Sequence, residues 1–341
     1  MKWEDVYLSG VGAYVPTAVG VAERIAAGGL SEHAARGIDM PSVAVETELV
    51  PPEMASRAAV QALAHADRTS AGLGLIVYAS AAEQLHITPA AYVQRVLGAD
   101  HARAIEVRQA SNGMMAGLVV AAEHLAARRS SAPVLIAAGD SFRAPLWDRW
   151  SSVPGMHLGD AGAAWLVSPD RGYFKVLATA DHADSTLEEV TRNPEPSPSS
   201  GFDGLGGNRT LAQKIGLDVF VERLGAGTRS AVAAALECAE LDLPRIDHVV
   251  VPNLGRRNLD TWILRPLDLA LDRTTWSFGR RVGHTGPCDQ ALGLRHLLDS
   301  GALEPGHHVL VIGVGAGFAW TCAVLRVEAA PPAIRGRGGQ G

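Results

Sequence analysis

Two stretches of this chain repeat one order of elements. The first runs from a helical pattern at Asn112 through the strand PVLIAAGD to GDAGAAWLVS; the second runs from Asp289 through HVLVIGVG to GAGFAWTCAVLRV. Helix, strand, glycine turn and strand, twice in the same order, predict a duplicated fold with pseudo-twofold symmetry. Further apolar runs, VYLSGVG, LGLIVYAS, AIEVRQ and HVVVPN, alternate with Ala-rich helical stretches such as MASRAAVQALAHA and RSAVAAALECAEL. That alternation predicts an α/β chain with largely parallel sheets. The helix after Ser111 is apolar almost all round, through Met114, Met115, Leu118, Val119 and Val120. Such a helix is expected as a buried layer between two sheets. The halves are expected at 1–170 and 171–328, divided near residues 169–172. RNPEPSPSSGFDGLGGNRT reads as loop, and residues 329–341 as a disordered tail outside the fold.

A chain of 341 residues is ample for such a core. Its 47% hydrophobic and 19% charged residues suit a compact enzyme and exclude a disordered chain. A formal charge of −6 leaves no electrostatic footprint for nucleic acid or an anionic membrane. No uninterrupted apolar segment reaches membrane-spanning length. The acidic start MKWEDVYLSGVG lacks the basic and apolar regions of a signal peptide. Cys238, Cys288 and Cys322 have neither ligand-like spacing nor the makings of a disulfide framework, so a reducing, cytoplasmic setting is expected. GVGAGF lacks the spacing of a dinucleotide loop and no metal motif stands out, so no tightly bound cofactor and no metal is expected.

Several residues carry chemistry. Ser111, in VRQASNGMMAGL, sits where a strand-like AIEV gives way to the apolar helix. Serine is among the best helix N-caps. The same place puts its hydroxyl at the positive end of a helix, where developing negative charge is stabilised. To act as a nucleophile it needs an adjacent general base. His284, in VGHTG, is either a structural histidine of a turn or that base. Asp289, five residues on, is either a favourably placed acid in a first helical turn or the group that orients His284. Asn253, after HVVVP, caps LGRRNL or offers an amide to a substrate carbonyl. Cys288 lies four residues from His284, yet free cysteine is more often a small buried hydrophobe. Arg256, Arg257, Arg280 and Arg281 form two basic pairs, either solvated surface or contacts for an acidic partner or phosphates. Trp147, Trp150 and Met156, in SFRAPLWDRWSSVPGMH, either line a channel or pack.

Five motifs in order add a resemblance. VGAYVP stands near the start, and GDAGAAWLVS takes the place of a GDGAGA-type turn. VVVPNLGRRN stands for a VPHQAN-type sequence, VGHTG for a GNT-type one, and GAGFAWTCAVLRV for a GGG-F-T-W-G ending. Over nearly its whole length the chain resembles the ketoacyl synthase III group of the thiolase superfamily. The resemblance implies a five-layered αβαβα homodimer with its active site where the two halves meet. Synthases of that group use Cys, His and Asn; the matching positions here hold Ser111, Asn253 and His284, so the Cys is replaced and the other two have changed places.

That pattern is similar to acyltransferases with an H…D pairing. It implies Ser111 as nucleophile, His284 as base and Asp289 as its orienting acid. Backbone amides of Ser111 and Ala316 would form the oxyanion hole, Ala316 replacing a glycine. The donor implied is an acyl carrier protein, through its phosphopantetheine, or a coenzyme A thioester, met by the four arginines. The expected reaction is transfer to a hydroxyl or amine of a small specialised metabolite, of the polyketide or antibiotic kind. A starter-unit priming ketosynthase is the alternative, and a catalytically silent partner of a synthase the third reading.

Overall fold

The computed structural model describes residues 1–82, 87–128, 132–191 and 215–328. The loop of residues 192–210 and the tail 329–341 lie outside the described residues. The strands are β1 (Tyr7–Tyr14), β2 (Ala18–Gly20), β3 (Ser42–Ala44), β4 (Leu75–Ala79), β5 (Arg103–Val107), β6 (Val134–Asp140), β7 (Ala161–Ser168), β8 (Phe174–Ala183), β9 (His248–Val250), β10 (His308–Gly315) and β11 (Ala319–Val327). β2 pairs with β3, and the others form one sheet in the order β5-β4-β6-β7-β1-β8-β11-β10-β9.

The duplication is visible in that order. In the first half β7 is antiparallel to both β1 and β6, and β6 is parallel to β4. In the second half β11 is antiparallel to both β8 and β10, and β10 is parallel to β9. The halves join where β1 meets β8 through two pairs, Tyr7↔Lys175 and Leu8↔Phe174. The expectation of largely parallel sheets is corrected: five of the eight strand pairings in this sheet are antiparallel and three parallel, because loops and turns rather than helices connect β6 to β7, β7 to β8 and β10 to β11.

Alternating side chains put apolar surface on both faces of the strands, which is why they read as unbroken apolar runs. Val134, Ile136 and Ala138 of β6 face inward with Met114, Met115 and Leu118, whereas Leu135 and Ala137 face outward with Ala55, Ala58 and Ala59. In β11, Ala323 and Leu325 share the inner cluster, and Cys322 and Val324 pack outward with Ala231 and Ala235. Two helices, Gly113–Arg128 and Asp289–Ser300, therefore lie between the two sets of strands and touch each other. Pro51–His65 covers the outer face of the first half and Leu217–Ala239 that of the second. The result is helix, strand, helix, strand, helix in layers. A fully buried large apolar side chain contributes about 1.5–3 kcal/mol, so burial of Met114, Met115 and Leu118 does much to hold Gly113–Arg128 in place. No helix among the described residues is long and apolar enough to cross a membrane.

Candidate active site

The two central helices begin close together, and each carries one part of the site. After β5 the chain turns through Ala110, whose φ of 46° is left-handed. A 3-10 turn, Ala110–Asn112, then leads into Gly113–Arg128. A left-handed alanine costs about 1–2 kcal/mol; here it stands between β5 and Ser111. Ser111 lies inside this turn, two residues before the helix begins. Its Oγ lies 2.7 Å from His284 Nε2, across 173 residues of chain.

His284 is clamped by its main chain: its N–H donates to His157 O at 2.8 Å, and Gly159 N–H donates to its carbonyl at 2.9 Å. The ring's Nδ1 stands 2.6 Å from Asp289 Oδ2. Asp289 opens its helix and is completely buried. Its Oδ2 also accepts the backbone N–H of Asn253 at 2.8 Å, while Oδ1 accepts both the N–H and the hydroxyl of Thr285 at 2.7 Å. A carboxylate so held accepts the Nδ1 proton and leaves the Nε2 lone pair facing the Ser111 hydroxyl. The structure thus brings Ser111, His284 and Asp289 into one hydrogen-bonded line. Thr285 was missed from sequence; its place at the start of the turn before Asp289 was the one available signal.

Asn253 does not line the pocket. The residue is 2% exposed and donates through Nδ2 to Gly283 O at 2.9 Å. That bond braces the backbone just before His284. Ala316 borders the pocket with Ser111. The left-handed residue of its turn is Gly317, at φ 110°, so a Cβ at Ala316 is accommodated. Cys288 is buried, with its Sγ directed at Ala161 O, and burial, reinforced by the Asp140 and Asp289 charges, holds its thiol well above the usual range. It does not line the pocket.

The pocket is apolar. Phe142, Trp147, Val153, Met156, Leu158, Leu254, Trp262, Val314 and Phe318 surround Ser111 and His284, and among the described residues no Asp, Glu, Lys or Arg lines it. Trp147 and Met156 reach the cavity, whereas Trp150 packs with Val21, Leu30 and Val43. The loop that carries them is seated by Arg149, whose guanidinium donates to both oxygens of the buried Asp160 at 3.1 and 3.0 Å. The four arginines divide. Arg256 and Arg280 lie over Trp276, their Cζ atoms 5.5 and 5.0 Å from its ring centre, and each also has an acidic neighbour, Asp260 and Asp39. Arg257 and Arg281 are exposed and have no ion-pair partner among the described residues.

Residues 236–327 match the family described as 3-oxoacyl-(acyl-carrier-protein) synthase III, C terminal. The chain is 27% identical over 333 residues to the β-ketoacyl-(acyl-carrier-protein) synthase III of Granulibacter bethesdensis, covering 94% of this chain and 98% of that one. It is 29% identical over 292 residues to the enzyme of the same description from Xylella fastidiosa, covering 85% and 87%. Among solved structures, the acyltransferase ChlB3 superposes with a TM-score of 0.89 at 30% identity, over 96% of this chain and 99% of that one. The synthase III of Pseudomonas aeruginosa superposes at 0.80 with 21% identity, over 96% and 100%, a likeness of fold.

Proposed function

The chain belongs to the ketoacyl-(acyl-carrier-protein) synthase III-like family of the thiolase fold, and from that premise we propose that it is an acyltransferase working through an ester on Ser111. It would take the acyl group from a carrier protein or coenzyme A thioester and deliver it to a hydroxyl or amine of a small acceptor. The observation that carries this reading is the Ser111–His284–Asp289 line, at 2.7 and 2.6 Å, facing an apolar pocket.

In the first half-reaction the donor's thioester carbonyl sits beside Ser111, its oxygen toward the backbone amides of Ser111 and Ala316. Ser111 Oγ attacks while its proton passes to His284 Nε2. The tetrahedral intermediate collapses, the C–S bond breaks, and the leaving thiolate takes the proton from His284. In the second, His284 removes a proton from the acceptor's O–H or N–H as that atom attacks the ester. The C–Oγ bond breaks and the proton returns to Ser111. Asp289 keeps the ring in the needed tautomer and balances the imidazolium charge. The exposed Arg257 and Arg281 are suited to an acidic carrier or to phosphates. A homodimer is the expected assembly.

Carbon–carbon bond formation is less well supported. Holding an enolate on an extender's thioester calls for donors facing the pocket, and here Asn253 does not line it and bonds Gly283 O, while His284 Nε2 faces Ser111. Incubation with malonyl carrier protein separates the two reactions. The acyltransferase reading predicts no CO2 release and no β-ketoacyl product, with acyl ester or amide formed when an acyl donor and a nucleophilic acceptor are supplied. Malonyl-dependent CO2 release with a β-ketoacyl product would contradict it.

A further inference from the structure

A second polar line starts at the residue after the nucleophile. Asn112 follows Ser111 and is completely buried. Its Nδ2 donates to Gln109 Oε1 at 2.7 Å and to Thr321 Oγ1 at 2.8 Å. The Thr321 hydroxyl in turn donates to Asp181 Oδ1 at 2.6 Å. Gln109, Asn112 and Ser111 belong to the first half, whereas Asp181 lies on β8 and Thr321 on β11 of the second. The line therefore ties the turn that bears the nucleophile to the other half of the molecule.

We infer that Asn112 and Thr321 are positioning residues that hold Ser111 in register with its base and with the Ala316 amide. Both hydrogens of the Asn112 amide are used, and they span the left-handed Ala110 from Gln109 on one side to β11 on the other. The Asn112 Oδ1 has no hydrogen-bond partner among the described residues, although it is buried. An apolar side chain would avoid that loss, so the amide's two donated bonds are what the site gains by it. The turn also seats directly on β10. A Cβ at Gly313 would come within 2.3 Å of Asn112 Oδ1, and one at Gly315 within 2.3 Å of Gln109 O. β10 ends at Gly315, so the residue after it, Ala316, has its place set by the same contact. Thr321 polarises the line: its oxygen receives from Asn112 while its proton is given to the Asp181 carboxylate, and bonds in such a chain strengthen one another.

The inference rests on Ser111 acting as a nucleophile, and its test separates the two ideas. The probe is a fluorophosphonate, which needs an activated serine and no knowledge of the natural acyl group: the Oγ–P bond forms, fluoride leaves and the Ser111 proton goes to His284. In the full-length protein, Thr321→Val keeps shape and removes the hydroxyl, while Thr321→Ser keeps the hydroxyl. The Val variant is expected to label with a maximal rate on the order of tenfold to a hundredfold slower at unchanged half-saturating concentration, the cost of a displaced reacting atom; the Ser variant regains most of the rate. Asn112→Ala is expected to behave like Thr321→Val, and the double variant to be no slower than the worse single one, because the two act as one unit. Equal labelling rates for wild type and Thr321→Val, with wild type reactive at Ser111, would overturn the positioning role alone. Failure of the wild type to label would instead overturn the nucleophile reading, and the positioning role with it.

Discussion

The His284 ring and the Asp289 carboxylate meet at 2.6 Å, Nδ1 to Oδ2, inside a cage of donors that leaves neither carboxylate oxygen idle. Three of the four donors come from the main chain or side chain of Thr285 and the main chain of Asn253, so the acid is fixed by the same turns that fix the base. Replacing Asp289 by Asn keeps the shape and reverses the tautomer preference, putting a hydrogen on Nε2 where Ser111 needs an acceptor. Single-turnover acylation of Asp289→Asn is expected to fall by on the order of 10^4 with the circular dichroism spectrum unchanged. Near-wild-type acylation would mean that the acid only holds the fold.

Arg149 and Asp160 form a buried ion pair beneath the loop that carries Trp147 and Met156, with side chains 11% and 0% exposed. Asp160 also accepts the backbone amides of Glu46 and Phe142. Arg149→Met strands the carboxylate without its charge partner, and breaking a pair of this kind costs about 3–5 kcal/mol. Urea unfolding should show that loss, and half-saturation for the acyl donor should weaken as the pocket wall loosens. An unchanged midpoint would show that the loop is seated by its apolar contacts.

Much of this was legible in the sequence. The paired helix, strand and glycine-turn units announced the duplication because strands buried on both faces are continuous apolar runs, and the all-apolar helix after Ser111 could only be a middle layer. Ser111, His284 and Asp289 were legible because each sits at an element boundary that the ordered motifs identify. What was not legible depends on approach in space. Nothing in an alanine signals the left-handed turn at Ala110, and whether the Asn253 amide faces the pocket or Gly283 O is decided by the backbone of the turn packed against it. The Arg149–Asp160 pair joins a loop to a glycine turn, and the split of the arginines is set by Trp276.

Arg257 and Arg281 should matter only for a large donor. Replacing both with Ala is expected to lower kcat/KM for a carrier-bound thioester by on the order of tenfold at low salt and to flatten its salt dependence. Turnover of a short pantetheine thioester should be unchanged. Arg280→Ala instead removes a cation from the Trp276 face and from Asp39, and should appear in the melting temperature. Equal losses with both donors would argue against a docking role for the exposed pair.

Stability should fall on the acid side of neutrality in two windows. Burial first, and the Arg295 charge second, pull the His65 pKa from the usual 6.5 to about 4. Its ring is stacked on Tyr173 and its Nδ1 accepts the Val11 amide, an arrangement for the neutral form. Between those values the unfolded chain binds more protons, so stability drops as pH falls from 6.5 toward 4. His157, His248, His296 and His308 are shifted in the same direction by burial. Burial pushes the Glu46 carboxyl up, but the Tyr14 hydroxyl and the amides of Glu48, Leu49 and Thr47 outweigh it and hold it at about 2, so its contribution is lost only below about 4.5. Melting temperature measured from pH 7 to 4.5 should therefore slope downward, and less steeply in His65→Gln. An identical slope in that variant would assign the effect to the other histidines.

The ester on Ser111 is the centre of the account, and intact-protein mass spectrometry reads it directly. Incubation with an acyl carrier or coenzyme A thioester and no acceptor should add the mass of one acyl group, mapped by peptide analysis to the segment holding Ser111. That adduct should disappear on addition of a competent alcohol or amine acceptor and should be absent from Ser111→Ala. No adduct with any acyl donor, or an adduct that persists in Ser111→Ala, would contradict it.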